Sequence, residues 1–141
     1  MKSAKQHPIL FYNVENLFDI KDDKYVSDSE FTPRGDKNWD EEKYHRKINA
    51  LAKVMLNVSS KHPIIAGLTE VENRQVVEDL ILKTDLSAYH YGIIHEDSPD
   101  NRGIDLCIIY TKVYVEINNH FYKKIHFHLH KNKKTRSVLL F

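Results

Sequence analysis

One feature of the sequence constrains the fold most strongly: a helical segment lies between two short apolar segments. Residues 9–13 have the pattern of a short buried strand, with Pro8 before them and polar residues after them. From Glu41 onward, apolar residues recur at spacings of three and four and so line one face of a helix. These residues are Tyr44, Ile48, Leu51, Ala52, Met55 and Leu56. Residues 63–68 are an apolar run typical of a strand buried on both faces, and a strand, helix and strand in this order predict an α/β fold.

Further elements are predicted on either side of this unit. A second helix is predicted from Asn73, a suitable N-cap, to about Leu82. Segments rich in β-branched and aromatic residues then predict strands over 89–94, 106–110, 113–117, 121–129 and 137–141. Residues 19–40 are polar with little periodicity, which predicts an extended surface loop of a length that is usually functional or mobile.

The composition is typical of a globular protein. With 141 residues, 41% of them hydrophobic and 29% charged, the chain fits a single globular domain and not a disordered segment. No apolar run approaches the roughly 18 residues that span a membrane, and the N-terminus lacks the roughly 7–15 apolar residues of a signal peptide. We therefore expect a cytoplasmic protein without membrane association. Cys107 is the only cysteine, which excludes an intrachain disulfide, and we expect it to be buried.

The charge is distributed unevenly. Residues 111–141 hold 7 Lys and Arg against 1 acidic residue, whereas residues 1–110 hold 14 against 19. A basic segment can attract nucleic acid, although solvated surface strands are the commoner explanation. His126, His128 and His130 alternate in this segment, so a strand would place them on one face. They could form a patch for a soft metal, but an exposed edge strand is the interpretation we favour.

Two polar side chains follow the first two predicted strands. Asn13 ends the first strand and Glu70 ends the second. Ligands of open α/β sheets collect at the carboxyl ends of strands, so both side chains should point into one crevice. A carboxylate with neutral oxygen donors suits Mg²⁺. The alternative is that Asn13 caps the following turn and Glu70 is a solvated strand end, and from spacing alone this alternative is favoured.

Three segments, considered together, carry a family resemblance. Residues 11–19 (FYNVENLFD), 67–73 (GLTEVEN) and 97–110 (DSPDNRGIDLCIIY) resemble the endonuclease/exonuclease/phosphatase family and occur in the family's order. Residues 31–39, 43–44 and 135–139 are also similar to bacterial members, so the resemblance covers nearly the whole chain. It implies that residues 1–141 are a partial domain, the front half of a DNase I-like four-layer α/β sandwich.

The resemblance also implies an activity and site residues. It implies a phosphoesterase that depends on Mg²⁺, with Mn²⁺ as an alternative metal. Among phosphoesterase activities, it favours a nuclease. Glu70 matches the family's metal-binding glutamate and Asn13 the asparagine of the first strand, so both are expected to act in catalysis and metal binding. Arg102 is the candidate phosphate contact, because a guanidinium can bind phosphate oxygens through two parallel hydrogen bonds. Its alternative is a structural salt bridge.

Structural roles are expected for three residues near these site residues. Gly103 is expected to allow a backbone conformation that other residues resist. Asp105 is expected to hold a loop and not to act in catalysis. Glu72 could support the metal carboxylate, although a carboxylate at a helix start, stabilised by the helix dipole, is the simpler interpretation.

The family's catalytic histidine and its closing Ser-Asp-His motif have no matching segment in these 141 residues. We therefore expect this chain alone to have little or no turnover while keeping weak affinity for Mg²⁺. A missing C-terminal half or a second chain would complete the sheet. The alternative is a truncated, non-catalytic remnant or binding module.

Overall fold

The computed structural model describes residues 6–123 and 138–140, and of residues 121–123 and 138–140 it describes the backbone. Two α-helices, α1 (Glu41–Asn57) and α2 (Arg74–Leu82), are accompanied by six strands in this region. The strands are β1 (Ile9–Leu17), β2 (Ile65–Val71), β3 (Tyr91–His95), β4 (Asp105–Thr111), β5 (Phe121–Lys123) and β6 (Val138–Leu140). Short 3-10 helices cover Ser29–Phe31 and Asp85–Tyr89.

Four strands form one mixed sheet in the order β1-β2-β4-β3. β1 and β2 are parallel, and α1 provides the crossover connection that parallel neighbours need. β4 is antiparallel to both of its neighbours. β5 and β6 pair in a separate antiparallel sheet. The α/β class predicted from the sequence is confirmed.

Both helices pack on one face of the four-stranded sheet. The predicted caps are present: Asp40 Oδ1 accepts a hydrogen bond from Lys43 N at 2.9 Å, and Asn73 Oδ1 accepts one from Val76 N at 3.0 Å. The apolar faces of the helices and sheet form the core, whose fully buried large side chains include Leu17, Ile48, Met55, Leu68, Val76, Val77, Leu80, Leu86 and Ile109. Cys107 is 1% exposed, so its predicted burial is confirmed.

The first strand differs from its prediction as a short buried strand. β1 continues to Leu17 and lies at an edge of the four-stranded sheet. Ile9 and Phe11 are 59% and 73% exposed, whereas Val14 and Leu17 are buried. The reason is that the helices cover only one face of the sheet, so alternate side chains of β1 remain at the surface.

Two strand predictions are wrong in part. Residues 113–117 form a turn and an irregular segment, because Tyr114 N and Val115 N both donate to Thr111 O at the end of β4. The predicted strand 89–94 begins only at Tyr91, after a 3-10 helix that ends with His90 at φ 51°. In both cases β propensity is overridden, because a strand also requires a pairing partner.

Residues 19–40 are more ordered than an extended surface loop. Asp28 is fully buried, and the Phe31 ring stacks on Phe18 with 4.3 Å between ring centroids. The indole Nε1 of Trp39 donates to Phe18 O at 3.0 Å. The loop also contacts the segment before β4, because Ser27 N donates to Asn101 O at 3.0 Å.

The histidine prediction concerns His126, His128 and His130, which lie outside the described residues. Among the residues that are described, no helix has the length and apolar character needed to cross a bilayer.

Candidate metal and phosphate site

The three motif segments meet at one edge of the four-stranded sheet. β1 and β2 are parallel and end there, and β4 starts there because Asp105 pairs with Val71. β3 ends at the same edge, where His95 pairs with Cys107. The sheet topology therefore brings the three motif segments, which are far apart in sequence, into one region.

Asn13 and Glu70 occupy neighbouring positions on paired strands. Asn13 is the register partner of Thr69, the residue immediately before Glu70. Asn13 is exposed and Glu70 is half-buried. The Asn13 Oδ1 atom accepts a hydrogen bond from Glu15 N at 2.8 Å, which is the turn-capping geometry considered above. An amide oxygen has two lone pairs, so this bond holds the side chain without using all of its acceptor capacity.

The strands are distorted where these side chains lie. The register shifts between Asn13 and Leu17 on β1, and between Thr69 and Val71 on β2. Glu70 has φ 67°, in the left-handed region that non-glycine residues rarely adopt. Glu15 and Asn16 have φ 54° and 61°. Bulges and left-handed residues of this kind re-aim side chains and are concentrated at functional sites.

Lys47 of α1 joins this site. Its Nζ atom donates to Glu15 O at 2.5 Å and lies 5.8 Å from the Trp39 ring centroid. Burial lowers the pKa of Lys47, while the negative charges of Glu15 and Glu70 oppose that shift. A half-buried ammonium group therefore acts electrostatically on the Glu70 carboxylate.

The donor set fits a hard divalent cation. Glu70 offers carboxylate oxygens and Asn13 an amide oxygen where the regular pairing of β1 and β2 is interrupted, and Mg²⁺ typically takes one or two carboxylates and keeps several waters. The exposure of Asn13 leaves room for those waters and for a substrate phosphate.

Arg102 lies in the segment that leads into β4. Its backbone N donates to Asp100 Oδ1 at 2.9 Å, and its Nε atom is 3.4 Å from the same oxygen. The structural salt bridge considered for Arg102 is thus present. The side chain is still 54% exposed, so the guanidinium also faces solvent at the edge that carries Glu70.

A buried histidine and aspartate lie beside this segment. His95 Nε2 is 3.6 Å from Asp105 Oδ2, and the two side chains are 2% and 4% exposed. Burial lowers the pKa of His95 and raises the pKa of Asp105 to about 6. Asp105 Oδ1 accepts a hydrogen bond from Ser98 N at 2.9 Å, which is the loop-holding geometry expected for it. Gly103 has φ 66°, as expected of a residue placed for its backbone freedom.

Three carboxylates meet where the 19–40 loop reaches the end of β2. One oxygen each from Asp23, Asp28 and Glu72 lies within 4.8 Å of the others, and we call this group the loop cluster. Burial raises the pKa of Glu72 to about 8. The helix-start interpretation of Glu72 is wrong, since the residue precedes the Asn73 N-cap and its carboxylate accepts from Asp19 N at 2.6 Å.

Sequence reasoning missed Lys47 and Asp28. Lys47 could have been found, because it lies three residues after Tyr44 and four before Leu51, on the apolar face of α1. Nothing in the local pattern separates the buried Asp28 from its exposed acidic neighbours, because its burial depends on how the whole loop folds.

Comparison with known proteins agrees with this geometry. The searches of curated proteins and of solved structures found no significant match. A family model described as the endonuclease/exonuclease/phosphatase family matches residues 8–141 and so covers most of the chain. Members of this family use divalent metals in hydrolysis, and the mixed sheet with helices on one face is consistent with their DNase I-like fold. The chain belongs to the endonuclease/exonuclease/phosphatase family.

Proposed function

We propose that the protein is a Mg²⁺-dependent phosphoesterase of the nuclease type, acting on phosphodiester bonds in nucleic acid. The observation that carries the proposal is the register of the parallel strands, which sets Asn13 opposite Thr69 and therefore beside Glu70. Family membership supports hydrolysis of phosphate esters. The excess of basic residues in 111–141 favours a polyanionic substrate.

Each site residue has a distinct role in this proposal. Glu70 and Asn13 hold Mg²⁺ through oxygen atoms, and Lys47 orients the Glu70 carboxylate. When bound, Mg²⁺ would neutralise charge on the phosphate and its leaving group. Arg102 binds a phosphate oxygen with the exposed part of its guanidinium, while Asp100 holds the side chain in place. The buried Asp105 holds the segment that carries Arg102 through the hydrogen bond from Ser98 N.

We further propose that these 141 residues alone bind Mg²⁺ weakly and have little or no turnover, because no segment matches the family's catalytic histidine. A second half, in the same chain or a partner chain, would supply the group that activates water. We propose a cytoplasmic location, with which a chain that has Cys107 as its single cysteine is compatible.

Calorimetric titration of the 141-residue chain with MgCl₂ tests the metal assignment. We expect weak binding that Glu70→Gln abolishes and that Glu116→Gln, at an exposed residue beyond β4, leaves unchanged. Hydrolysis of plasmid DNA, RNA and a generic phosphodiester by a version extended with the family's C-terminal half tests the activity. If the extended protein keeps full activity after Glu70→Gln, the site assignment is wrong.

A further inference from the structure

The loop cluster of Asp23, Asp28 and Glu72 is distinct from the Glu70 site in both composition and surroundings. Asp28 is 0% exposed and Glu72 is 6% exposed, while Asp23 lies at the surface. Two carboxylates are therefore removed from water and held close together. That arrangement is strongly unfavourable for ionised groups without compensation.

The hydrogen bonds of the cluster compensate only part of this cost. Glu72 Oε2 accepts from Asp19 N at 2.6 Å, and the two Asp28 oxygens share the N–H of Asp23 at 3.1 and 3.3 Å. Glu72 Oε1 is fully buried and has no hydrogen-bond partner among the described residues. Backbone amides thus orient the carboxylates and leave one oxygen of Glu72, a member of the cluster, buried and unpartnered.

The charges around Glu72 all have the same sign. The groups that act on it electrostatically are Asp19, Asp23 and Asp28. For Asp28 they are Asp22 and Asp23. No Lys, Arg or His side chain of the described region forms an ion pair with a member of the cluster. Within the described region the cluster therefore lacks a compensating positive charge, which a bound cation would supply.

We propose that the loop cluster is a Ca²⁺ site that holds the 19–40 loop against the end of β2. All of its candidate ligands are carboxylate oxygens, which suit a hard cation and not a soft transition metal. Three carboxylates exceed the one or two that Mg²⁺ usually takes, whereas Ca²⁺ accepts six to eight oxygens in flexible geometry. The exposed Asp23 side supplies an entry path and room for water ligands.

The bound ion would act on the candidate active site through the loops. Glu72 is two residues from Glu70, so the ion would anchor the distorted end of β2. The 19–40 loop in turn contacts the Arg102 segment, through the Ser27–Asn101 hydrogen bond and through Val26 against Gly103. Ca²⁺ would therefore stabilise the conformation of two loops that border the metal and phosphate residues.

Calorimetry and thermal unfolding of the 141-residue chain with CaCl₂ or MgCl₂ test this proposal without requiring catalysis. We expect one Ca²⁺ per chain and a rise in Tm of about 5–10 °C at Ca²⁺ concentrations about 100-fold above Kd. Asp23→Asn should weaken Ca²⁺ binding by about tenfold or more, because it removes one charged ligand. Asp23 is exposed, so this variant should fold even if Asp28→Asn does not.

Glu70→Gln and Glu116→Gln are the matched controls, and both should keep Ca²⁺ affinity within about threefold. The proposal is overturned if the chain binds no Ca²⁺ at millimolar concentrations, which would mean that Glu72 is simply protonated. It is also overturned if Asp23→Asn binds Ca²⁺ normally, if Glu70→Gln abolishes binding, or if Mg²⁺ raises Tm as much as Ca²⁺ does. Loss of Mg²⁺ binding in Glu70→Gln with Ca²⁺ binding intact separates this site from the proposed catalytic one.

Discussion

Gly103→Ala should destabilise the protein, because two effects act on the same residue. Gly103 has φ 66°, where an alanine costs about 1–2 kcal/mol. A Cβ atom there would also lie 2.9 Å from Val26 Cγ1, 3.0 Å from Val26 Cβ and 3.1 Å from Val26 Cγ2. Because the Cβ atom of Val26 is itself too close to the new alanine Cβ, no rotamer of Val26 relieves the contact. The 19–40 loop must therefore shift.

The two contributions give the size of the effect. Overpacking of this kind adds about 1–2 kcal/mol, so the free energy of unfolding should fall by about 2–4 kcal/mol in total. For a chain of this length, this loss corresponds to a fall in Tm of roughly 6–15 °C. Val26→Ala combined with Gly103→Ala should recover less than half of the loss, because it removes the two Cγ contacts but leaves the Val26 Cβ contact at 3.0 Å and the backbone strain.

Urea unfolding followed by circular dichroism provides the measurement, and Gly67→Ala is the control. The atoms nearest to a Cβ at Gly67 belong to the Phe11 ring, at 2.7 and 2.9 Å, and Phe11 is 73% exposed and can rotate away. We expect Gly67→Ala to change stability by less than about 1 kcal/mol. Equal stabilities for the two glycine variants, or no recovery in the double variant, would refute the argument that the two loops are packed through Gly103.

Three further predictions concern buried groups. Burial raises the pKa of the Cys107 thiol to about 12, so iodoacetamide at pH 8 should alkylate it at least about 10³-fold more slowly in the native protein than in urea. Tyr91→Phe should cost about 1–3 kcal/mol in urea unfolding, because it leaves the Pro63 carbonyl without the buried Tyr91 hydroxyl that donates to it at 2.5 Å. The pKa of Asp105 is raised from 3.8 to about 6, so between these pH values the native state binds more protons than the unfolded state. The free energy of unfolding should therefore fall by about 3 kcal/mol as pH rises through this range. Asp105→Asn keeps an acceptor for Ser98 N and should not show this fall in the free energy of unfolding. The prediction is contradicted if the free energies of unfolding of the wild type and the variant change in parallel from pH 4 to 7.

The sequence alone was sufficient for features that depend on local interactions. The helices could be predicted from apolar spacing, and their starts from Asp40 and Asn73, because a cap needs only the amides two or three residues away. The closeness of Asn13 to Glu70 could also be predicted, since parallel strands joined by a helix run towards the same edge of a sheet. The prediction that Asn13 ends the first strand is wrong, because β1 continues to Leu17.

Tertiary structure alone decided which polar residues are removed from water and which charges face one another. Asp28 and Glu72 are 44 positions apart and share a buried cluster, and Lys47 acts on Glu70 from a different element. Such pairs have no local signature, because their energies depend on the burial and distance that packing of the whole chain imposes. Packing also left one face of β1 exposed, where apolar side chains had indicated a buried strand. It placed residues 113–117 in a turn and an irregular segment, where β-branched side chains had indicated a strand.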